Sequence, residues 1–221
     1  MSRQEQRARK GEQTRVAIID AALDQAATRG LEGLTIGSLA ERMRMSKSGV
    51  FAHFGSREEL QIAVLKEYER RFAEDVLTAS LEVPRGLARL ETMLARWVEK
   101  STREAECGCL WISCAAEYDD RPGAVRDELV AMIQSWKSAL SKAIQLAIEA
   151  GELRADMDVS EMIFDIYGVI LVLHHDSRLL ASPSAASRAR LAITRIVDAR
   201  RAGPPPAASN AEAPASNRSV A

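Results

Sequence analysis

The chain has 221 residues, of which 47% are hydrophobic, 28% are charged and only 5% are aromatic. This composition is typical of a globular protein with one or two domains and argues against a fibrous or disordered chain. The 30 basic and 31 acidic side chains give a net charge of −1, which excludes a uniformly basic coat for nucleic acid.

The longest apolar run, Val169 to Leu173, is far shorter than the ~20 residues that span a bilayer. No apolar segment follows the basic N-terminus, so a signal peptide is not indicated. Cys107, Cys109 and Cys114 are an odd number in one cluster, which argues against a disulfide scaffold. We therefore expect a cytoplasmic protein without a membrane segment.

Charge is distributed unevenly along the chain. Residues 1–57 contain ten Lys or Arg against six Asp or Glu, whereas residues 58–221 have a net negative charge. A basic front end before a more acidic body is typical of a protein whose N-terminal part meets a polyanion, although such asymmetry also arises by chance.

Apolar spacing and cap signals predict about nine helices and no strand, so the predicted fold class is all-α. Arg29-Gly30 ends the first helix, and Thr35 and Ser46 are suitable N-cap residues for the next two. Ser56 with Glu59 forms a capping-box pattern before a fourth helix. Pro84 marks a break before a fifth helix, and Cys109–Tyr118 forms a compact sixth segment. Arg121-Pro122 begins a long helix that ends at Gly151. Asp158 with Glu161 begins the next helix, and Ser182-Pro183 begins the last one, which ends at Gly203.

These boundaries predict four parts of the chain. They are a basic flexible arm (1–12), a small helical domain (13–57) that contains the segment 35–54, a larger helical domain (58–202) and a disordered tail (203–221).

The segment from Thr35 to Phe54 has the pattern of a helix-turn-helix, two short helices separated by a tight turn. Its second helix begins with Lys47-Ser48-Gly49, which is slim enough for the major groove and offers a cation and a hydroxyl. Thr35 and Ser46 lie at helix N-termini, where free N–H groups suit a phosphate. A plain helical hairpin in a core is the alternative, and it leaves these small polar residues unexplained.

Three motifs follow Thr35 and Ala40 in close succession: Ser46-Lys47-Ser48-Gly49, Phe51-Ala52-His53-Phe54 and Ser56-Arg57-Glu58-Glu59-Leu60. In this order they resemble the TetR/AcrR family of bacterial transcriptional regulators, and the resemblance extends from Thr14 to Glu67. It implies an N-terminal three-helix DNA-binding domain and a larger helical domain that dimerises and usually holds a ligand.

The resemblance also implies roles for individual residues. Lys47, Ser48 and Gly49 would approach bases, and Phe54 and Leu60 would hold the recognition helix to the fourth helix. Phe51 stands where most members have a tyrosine whose hydroxyl reaches a phosphate. The loss of this hydrogen bond costs ~1 kcal/mol of binding free energy. The residues expected to hold phosphates are Thr35, Ser46, His53 and Arg57.

Arg44 occupies the turn position that glycine usually fills in this family. If its backbone is left-handed, the turn stores ~1–2 kcal/mol of strain.

Three tryptophans, with methionines and tyrosines nearby, lie on the apolar faces of helices in the larger domain. They indicate either a ligand cavity or ordinary core packing, and the family resemblance favours a cavity somewhere in this domain. The candidate ligand-binding residues are Met93, Trp97, Trp111, Tyr118, Met132, Trp136, Tyr167 and His174.

No metal site, cofactor site or catalytic group is predicted. His174, His175 and Asp176 are adjacent, and neighbouring helical side chains point ~100° apart, so they cannot converge on one ion alone. The three cysteines lack a nearby fourth ligand; they could sense metal or oxidant, but small buried side chains are the simpler interpretation.

The helices over residues 158–181 and 183–201 are apolar on more than one face. They predict a four-helix homodimer interface, which would space two recognition helices for a palindromic operator in double-stranded DNA. Core helices of a larger monomer are the alternative.

The sequence as a whole predicts a dimeric regulator, a repressor that a small-molecule effector of unknown identity releases from DNA. An activator of the same fold stays open, because no residue determines whether the protein represses or activates transcription. A helical enzyme or a ligand-blind adaptor is the alternative from another class, but the chain has no G-x-S-x-G, phosphate-binding glycine loop or H-E-x-x-H.

Overall fold

The structure, a computed structural model, describes residues 2–107 and 109–203, without the side chains of Arg3 and residues 105–107. These ranges contain nine α-helices and no strand, which confirms the predicted all-α fold. The predicted tail lies, apart from Gly203, outside the described residues. The helices are α1 Arg3–Arg29, α2 Ile36–Met43, α3 Lys47–Phe54, α4 Arg57–Phe72, α5 Leu87–Cys107, α6 Leu110–Tyr118, α7 Ala124–Glu149, α8 Val159–Arg178 and α9 Ala185–Asp198.

Helix α1 begins ten residues earlier than the sequence analysis suggests. Residues 1–12 were expected to form a flexible arm, but the structure has a helix from Arg3 onwards. The reason is a capping box, in which Ser2 Oγ accepts the Glu5 N–H at 3.2 Å and the Glu5 carboxylate accepts the Ser2 N–H at 2.7 Å. The basic N-terminal segment is therefore an extension of α1. The first buried residue of α1 in the described part of the chain is Ile18.

The first three helices pack around a small apolar centre. Ile18, Ala22, Leu39 and Val50 are fully or almost fully buried, and Leu60 closes the centre from α4. The predicted N-caps are confirmed: Thr35 and Ser46 have extended backbones, and their hydroxyls accept N–H groups of the following turn. These short helices are thus defined by local caps at their start and held by burial along one side.

Helix α4 joins the two parts of the molecule, because it packs against α1 on one side and against α7 on another. Its apolar residues repeat every four positions, from Leu60 to Val76, and so drift ~40° per step around a 3.6-residue helix. A π-helical turn over Ala73–Leu77 widens the helix and keeps Val76 buried. A short 3₁₀ turn, Thr78–Ser80, then ends the element.

The larger body consists of α5 to α9, with α5, α7, α8 and α9 packed against one another. Asp158 caps α8 as predicted, through the N–H groups of Ser160 and Glu161. The predicted cap of α9 at Ser182-Pro183 is wrong, since α9 begins at Ala185. The Ser182 N–H donates to Asp176 O at 2.9 Å, which holds Ser182 in the preceding loop. None of the helices in the described ranges has both the length and the apolar character of a membrane span.

Candidate DNA-binding surface and effector cavity

The turn between α2 and α3 is short because Arg44 adopts a left-handed backbone, with φ 53° and ψ 40°. The sequence analysis left open whether this backbone is left-handed, and the structure shows that it is. The Arg44 N–H donates to Glu41 O at 3.2 Å, and the Met45 N–H donates to Ala40 O at 2.9 Å. These bonds end α2 and direct the chain straight into Ser46, the cap of α3.

Helix α3 has one buried side and one exposed side. Val50 and Phe54 are buried against the neighbouring helices, whereas Lys47, Ser48 and Phe51 are exposed. We call these three exposed residues the recognition face. It combines a cation, a hydroxyl and an apolar ring, the groups that contact phosphates, base edges and thymine methyls.

Two glycines keep this region slim. A Cβ at Gly49 would lie 3.1 Å from Ser46 Oγ, the atom that caps α3, so a larger residue would disturb the cap. A Cβ at Gly37 would lie 3.4 Å from Lys47 Cε, which shows that the lysine stem rests on α2. Gly49 is half-buried beside the recognition face, and its approach to bases stays a prediction.

The residues predicted to hold phosphates differ in their exposure and in the hydrogen bonds that their polar groups already make. Thr35 and Ser46 are exposed, but their hydroxyl oxygens accept the Ser38 N–H at 3.1 Å and the Gly49 N–H at 3.0 Å. His53 is half-buried beside the ring of Phe54. A DNA contact by any of these residues stays a prediction.

Arg57 has a role inside the protein that the sequence analysis missed. Its Nε donates to Leu34 O at 2.9 Å, and one Nη donates to Glu32 O at 2.6 Å and to the Glu32 carboxylate at 3.1 Å. It therefore fastens the start of α4 to the turn before α2. The predicted phosphate contact of Arg57 could use only the remaining Nη.

The buried side of the recognition helix is contacted from α1. The Arg15 guanidinium carbon lies 5.1 Å from the centroid of the Phe54 ring, a cation–π contact, and Leu60 is completely buried at the start of α4. Phe54 and Leu60 are thus both buried, and their role in holding α3 to α4 stays a prediction.

The larger domain contains a cluster of aromatic rings around Phe72 of α4. The Phe72 centroid lies 4.5 Å from that of Trp111, 4.9 Å from Trp136 and 6.4 Å from Trp97. Trp97 also meets Tyr167 edge to face, with centroids 5.1 Å apart. The sequence analysis assigned these tryptophans and Tyr167 correctly to a common region, but missed Phe72, whose only signal was its place on the apolar face of α4.

A cavity of about 50 Å³ lies beside this cluster, and we call it the aromatic cavity. It is bordered by residues of α5, α6, α7 and α8, including Trp97, Trp111 and Tyr167. The sulfur of Cys109 also borders it, and burial raises the pKa of this thiol to about 12, which makes it a neutral group. Met93 and Met132 are buried but do not border the cavity, so they act here as core residues.

Several polar atoms in this region lack a partner. The indole N–H groups of Trp111 and Trp136 and Nδ1 of His174 are buried without a hydrogen bond to any described residue. An unpaired buried polar group costs about 1–3 kcal/mol. Burial and the nearby Arg178 lower the pKa of His174, which lies one helical turn beyond Ile170 and two beyond Tyr167 on α8.

Tyr118 does not belong to the aromatic cluster, and its predicted place in the ligand site is corrected. Its hydroxyl donates to Glu32 at 2.7 Å and accepts from Gln61 Nε2 at 3.1 Å, so it lies between the two domains. The adjacent Glu117 carboxylate accepts the N–H groups of Leu31 and Glu32. We call this set of bonds the interdomain contact; local sequence patterns do not indicate it.

The histidine and cysteine candidates show no metal site. His175 Nδ1 lies 3.1 Å from its neighbour Asp176, and no group of three or more potential metal-binding side chains was found among the described residues. Cys114 is buried, and burial raises its pKa, while the side chain of Cys107 lies outside the described residues.

Two family models match the chain in succession. A model described as "Bacterial regulatory proteins, tetR family" matches residues 18–64, and one described as "Tetracyclin repressor-like, C-terminal domain" matches residues 86–193. They coincide with the helix-turn-helix domain and with the helical body. The chain belongs to the TetR family.

Individual TetR-family regulators are similar to the chain over different lengths. The transcriptional regulator AcuR of Cereibacter sphaeroides is 24% identical over 146 residues, which cover 64% of this chain and 66% of AcuR. The HTH-type transcriptional repressor AcnR of Corynebacterium efficiens is 37% identical over 75 residues, which cover 34% of this chain and 40% of AcnR. The chain thus spans two thirds or less of these relatives.

Solved structures match over nearly their whole length. The crystal structure of a TetR regulator from Chloroflexus aurantiacus superimposes with a TM-score of 0.76 at 22% identity, covering 88% of this chain and 100% of that one. At this identity the likeness concerns the fold alone. The TetR family model and the curated relatives are described as transcriptional regulators.

The last two helices of this TetR-family chain leave an apolar surface uncovered. On α8, Phe164 and Val172 are 78% and 59% exposed, and Leu179, directly after the helix, is 73% exposed. A groove of about 510 Å³ runs between α8 and α9, bordered by Phe164, Val172 and Ile196 among others. Contiguous exposed apolar surfaces of this kind mark sites of protein association.

Proposed function

We propose that this chain is a homodimeric DNA-binding repressor that leaves a palindromic operator when a small molecule occupies the aromatic cavity. The observation that carries the proposal is the recognition face, where Lys47, Ser48 and Phe51 project from a capped, slim helix. Because chromosomal DNA is the proposed target, we place the protein in the cytoplasm.

The apolar surface on α8 and α9 supports the dimer. A second copy of the same surface would cover Phe164 and Val172 by two-fold symmetry, over the residues 158–181 and 183–201 that the sequence analysis singles out. Two recognition faces would then lie about 34–36 Å or a multiple of this distance apart, as a palindromic site requires.

Helix α6 supports the coupling between effector and DNA. Its first turn brings Trp111 to the aromatic cavity, and its last turn brings Glu117 and Tyr118 to the DNA-binding domain. A molecule that shifts α6 would therefore act on the turn before α2, and effector and DNA binding would be reciprocally linked. The relative AcnR is a repressor by its printed description, which favours repression here.

The proposal is tested by fluorescence anisotropy with the full chain on DNA from upstream of its own gene and on scrambled DNA of equal length. We expect preference for the natural DNA, two chains per site and affinity that falls steeply with salt. Lys47→Ala should flatten the salt dependence by about two units of slope, one for each chain of the dimer, whereas Lys142→Ala on the exposed side of α7 should leave it unchanged. Absence of binding by a folded dimer to genomic DNA fragments as well would contradict the proposal.

A further inference from the structure

We propose that the N-terminal extension of α1 forms a second DNA contact, in which Arg7 and Lys10 bind phosphates that border the groove entered by α3. We call these two residues the cationic stripe. The inference rests on the proposed function of DNA binding, and it adds to the recognition face a contact that does not depend on base sequence.

The extension has its charges on two opposite sides. Successive helical residues are ~100° apart around the axis, so Arg7 and Lys10 lie within ~60° of each other. Glu5 and Glu12 lie ~20° apart, and their side of the helix is ~180° from the cationic stripe. Arg9 also lies on this acidic side. One side of the extension therefore has only positive charges, whereas the opposite side has two carboxylates against one guanidinium.

The cationic stripe has no partner within the described part of the chain. Both of its side chains are exposed, and neither forms an ion pair with a described residue. By contrast, Arg42 and Arg57 of the same domain bind the carboxylates of Asp24 and Glu32. Like charges one helical turn apart repel each other, and a polyanion that lies against them removes this cost.

Helix α1 places the stripe on the side of the small domain that is remote from the larger body. The C-terminal end of α1 leads directly to the body, where Glu117 accepts the N–H of Leu31 at 2.9 Å. Nearer the other end of α1, the Arg15 guanidinium carbon lies 5.1 Å from the ring centroid of Phe54, the last residue of α3. The extension thus begins beside the end of the recognition helix and continues away from the body.

The spacing along α1 fits the width of the major groove. Arg7 precedes Arg15 by eight positions, which is about 12 Å of helix at 1.5 Å per residue. The major groove is about 12 Å wide, and a row of phosphates borders it on each side. When the recognition face lies in the groove, the stripe would therefore reach a bordering row of phosphates. Such a contact positions the protein and carries no sequence information.

Arg7→Gln and Arg9→Gln are a matched pair of variants. Each removes one guanidinium from an exposed position of the same helix, and the two positions lie ~160° apart around its axis. Fluorescence anisotropy of the full chain is measured on DNA from upstream of its own gene and on scrambled DNA, from 50 to 200 mM salt. Arg7→Gln should weaken binding to both DNAs by the same factor, whereas Arg9→Gln should leave it unchanged.

The salt series identifies the loss as a phosphate contact. Two chains of the proposed dimer each lose one contact in Arg7→Gln, so the slope of log Kd against log salt should flatten by about two units. The weakening should then be about tenfold larger at 50 mM than at 200 mM salt.

An insertion tests the direction of the side chains separately from the loss of charge. Two alanines inserted directly after Gly11 shift the extension by two positions, so that Arg9 takes the place of Arg7 relative to the rest of α1. A Cβ at Gly11 would meet no atom within 4 Å, so side chains have room at this point. In the chain with the insertion, Arg9→Gln should weaken binding and Arg7→Gln should not.

The outcomes separate this inference from the proposed function. Equal effects of Arg7→Gln and Arg9→Gln, or a loss confined to the upstream DNA, would overturn the inference and leave DNA binding by the recognition face intact. An Arg7→Gln effect that persists after the insertion would mean that the segment binds as a flexible arm, which also overturns the helical stripe. If the unaltered chain bound neither these DNAs nor genomic fragments, the proposed function would fail as well.

Discussion

The carboxylate of Glu117 accepts the backbone N–H of Leu31 at 2.9 Å, and its second oxygen accepts the N–H of Glu32 at 2.8 Å. A side chain at the end of α6 thus caps the turn that leads from α1 into the helix-turn-helix. Gly30, with φ 73°, allows this approach, because a Cβ there would lie 2.8 Å from the Glu117 carboxylate.

Glu117→Ala should lower the free energy of unfolding by about 2 kcal/mol, because two backbone donors lose their acceptor. Urea unfolding measures the loss, and hydrogen exchange should accelerate at the amides of Leu31 and Glu32. Glu149→Ala, an exposed change at the end of α7, is the control and should stay within about 0.5 kcal/mol. Unchanged exchange at both amides would show that the interdomain contact does not hold this turn in solution.

Tyr118→Phe should destabilise the protein in a pH-dependent way. The hydrogen bond from Tyr118, followed by those and the charge of Arg57, lowers the pKa of Glu32 below its usual value of 4.5. A lowered carboxylate pKa contributes stability above pH 4.5, which is lost as pH falls through the folded-state pKa. The difference between Tyr118→Phe and the unaltered chain should therefore be constant from pH 5.5 to 7 and shrink below pH 4.5.

Urea unfolding at pH 7, 5.5 and 3.5 measures this dependence. Tyr167→Phe is the matched control, since its hydroxyl makes no hydrogen bond to a carboxylate in the described part of the chain, and its effect should not vary over this range. A Tyr118→Phe effect that grew towards acid pH would contradict the assignment.

Arg44→Gly should stabilise the protein, because it relieves a left-handed non-glycine backbone. The relieved strain of about 1–2 kcal/mol exceeds the extra unfolded-state entropy of glycine, about 0.5–1 kcal/mol, so the melting temperature should rise by a few degrees. Ala52→Gly, in the regular part of α3, should lower it. A lower melting temperature for Arg44→Gly would mean that contacts of the arginine side chain outweigh the strain.

Sequence patterns were sufficient for the helix-turn-helix because its determinants are local. The caps at Thr35 and Ser46 bond to residues three positions away, and the left-handed Arg44 depends on the turn alone. The start of α1 was missed although it is local too, because the Ser2 and Glu5 capping box stands before a segment with no apolar side to support a helix.

Long-range contacts could not be predicted in this way. Tyr118 and Glu32 are separated by 86 positions, so only the packed structure brings them together. Helical spacing correctly placed Trp97, Trp111 and Trp136 on buried faces, but the same criterion placed Tyr118 with them. Spacing reports that a side chain is buried and does not report which neighbours surround it.

Phe51→Tyr should tighten operator binding about 30-fold, because each of the two chains in the proposed dimer gains one hydrogen bond of ~1 kcal/mol to a phosphate. The ring is 51% exposed on the recognition face, so the added hydroxyl has room. Anisotropy titrations on the operator measure the change. Phe51→Leu adds no hydroxyl and should not tighten binding; an equal gain in both variants would rule out the phosphate contact.

Phe164→Arg should convert the proposed dimer into a monomer and abolish operator binding, because it places a charge on the exposed apolar surface of α8. Light scattering after size-exclusion chromatography measures the mass. The control Leu81→Arg changes an exposed leucine directly after the 3₁₀ turn Thr78–Ser80, outside this surface, and should leave the proposed dimer intact. A Phe164→Arg dimer would place the interface elsewhere.

The uncovered side of α8 also has a consequence for gene dosage. In the proposed dimer Phe164 and Val172 are covered only by pairing, so most chains would be single when the protein is scarce, and the paired form would then increase with the square of the number of chains in the cell. Halving the supply would leave about a quarter of the paired form, so a promoter under its control would switch over a narrow range of protein synthesis.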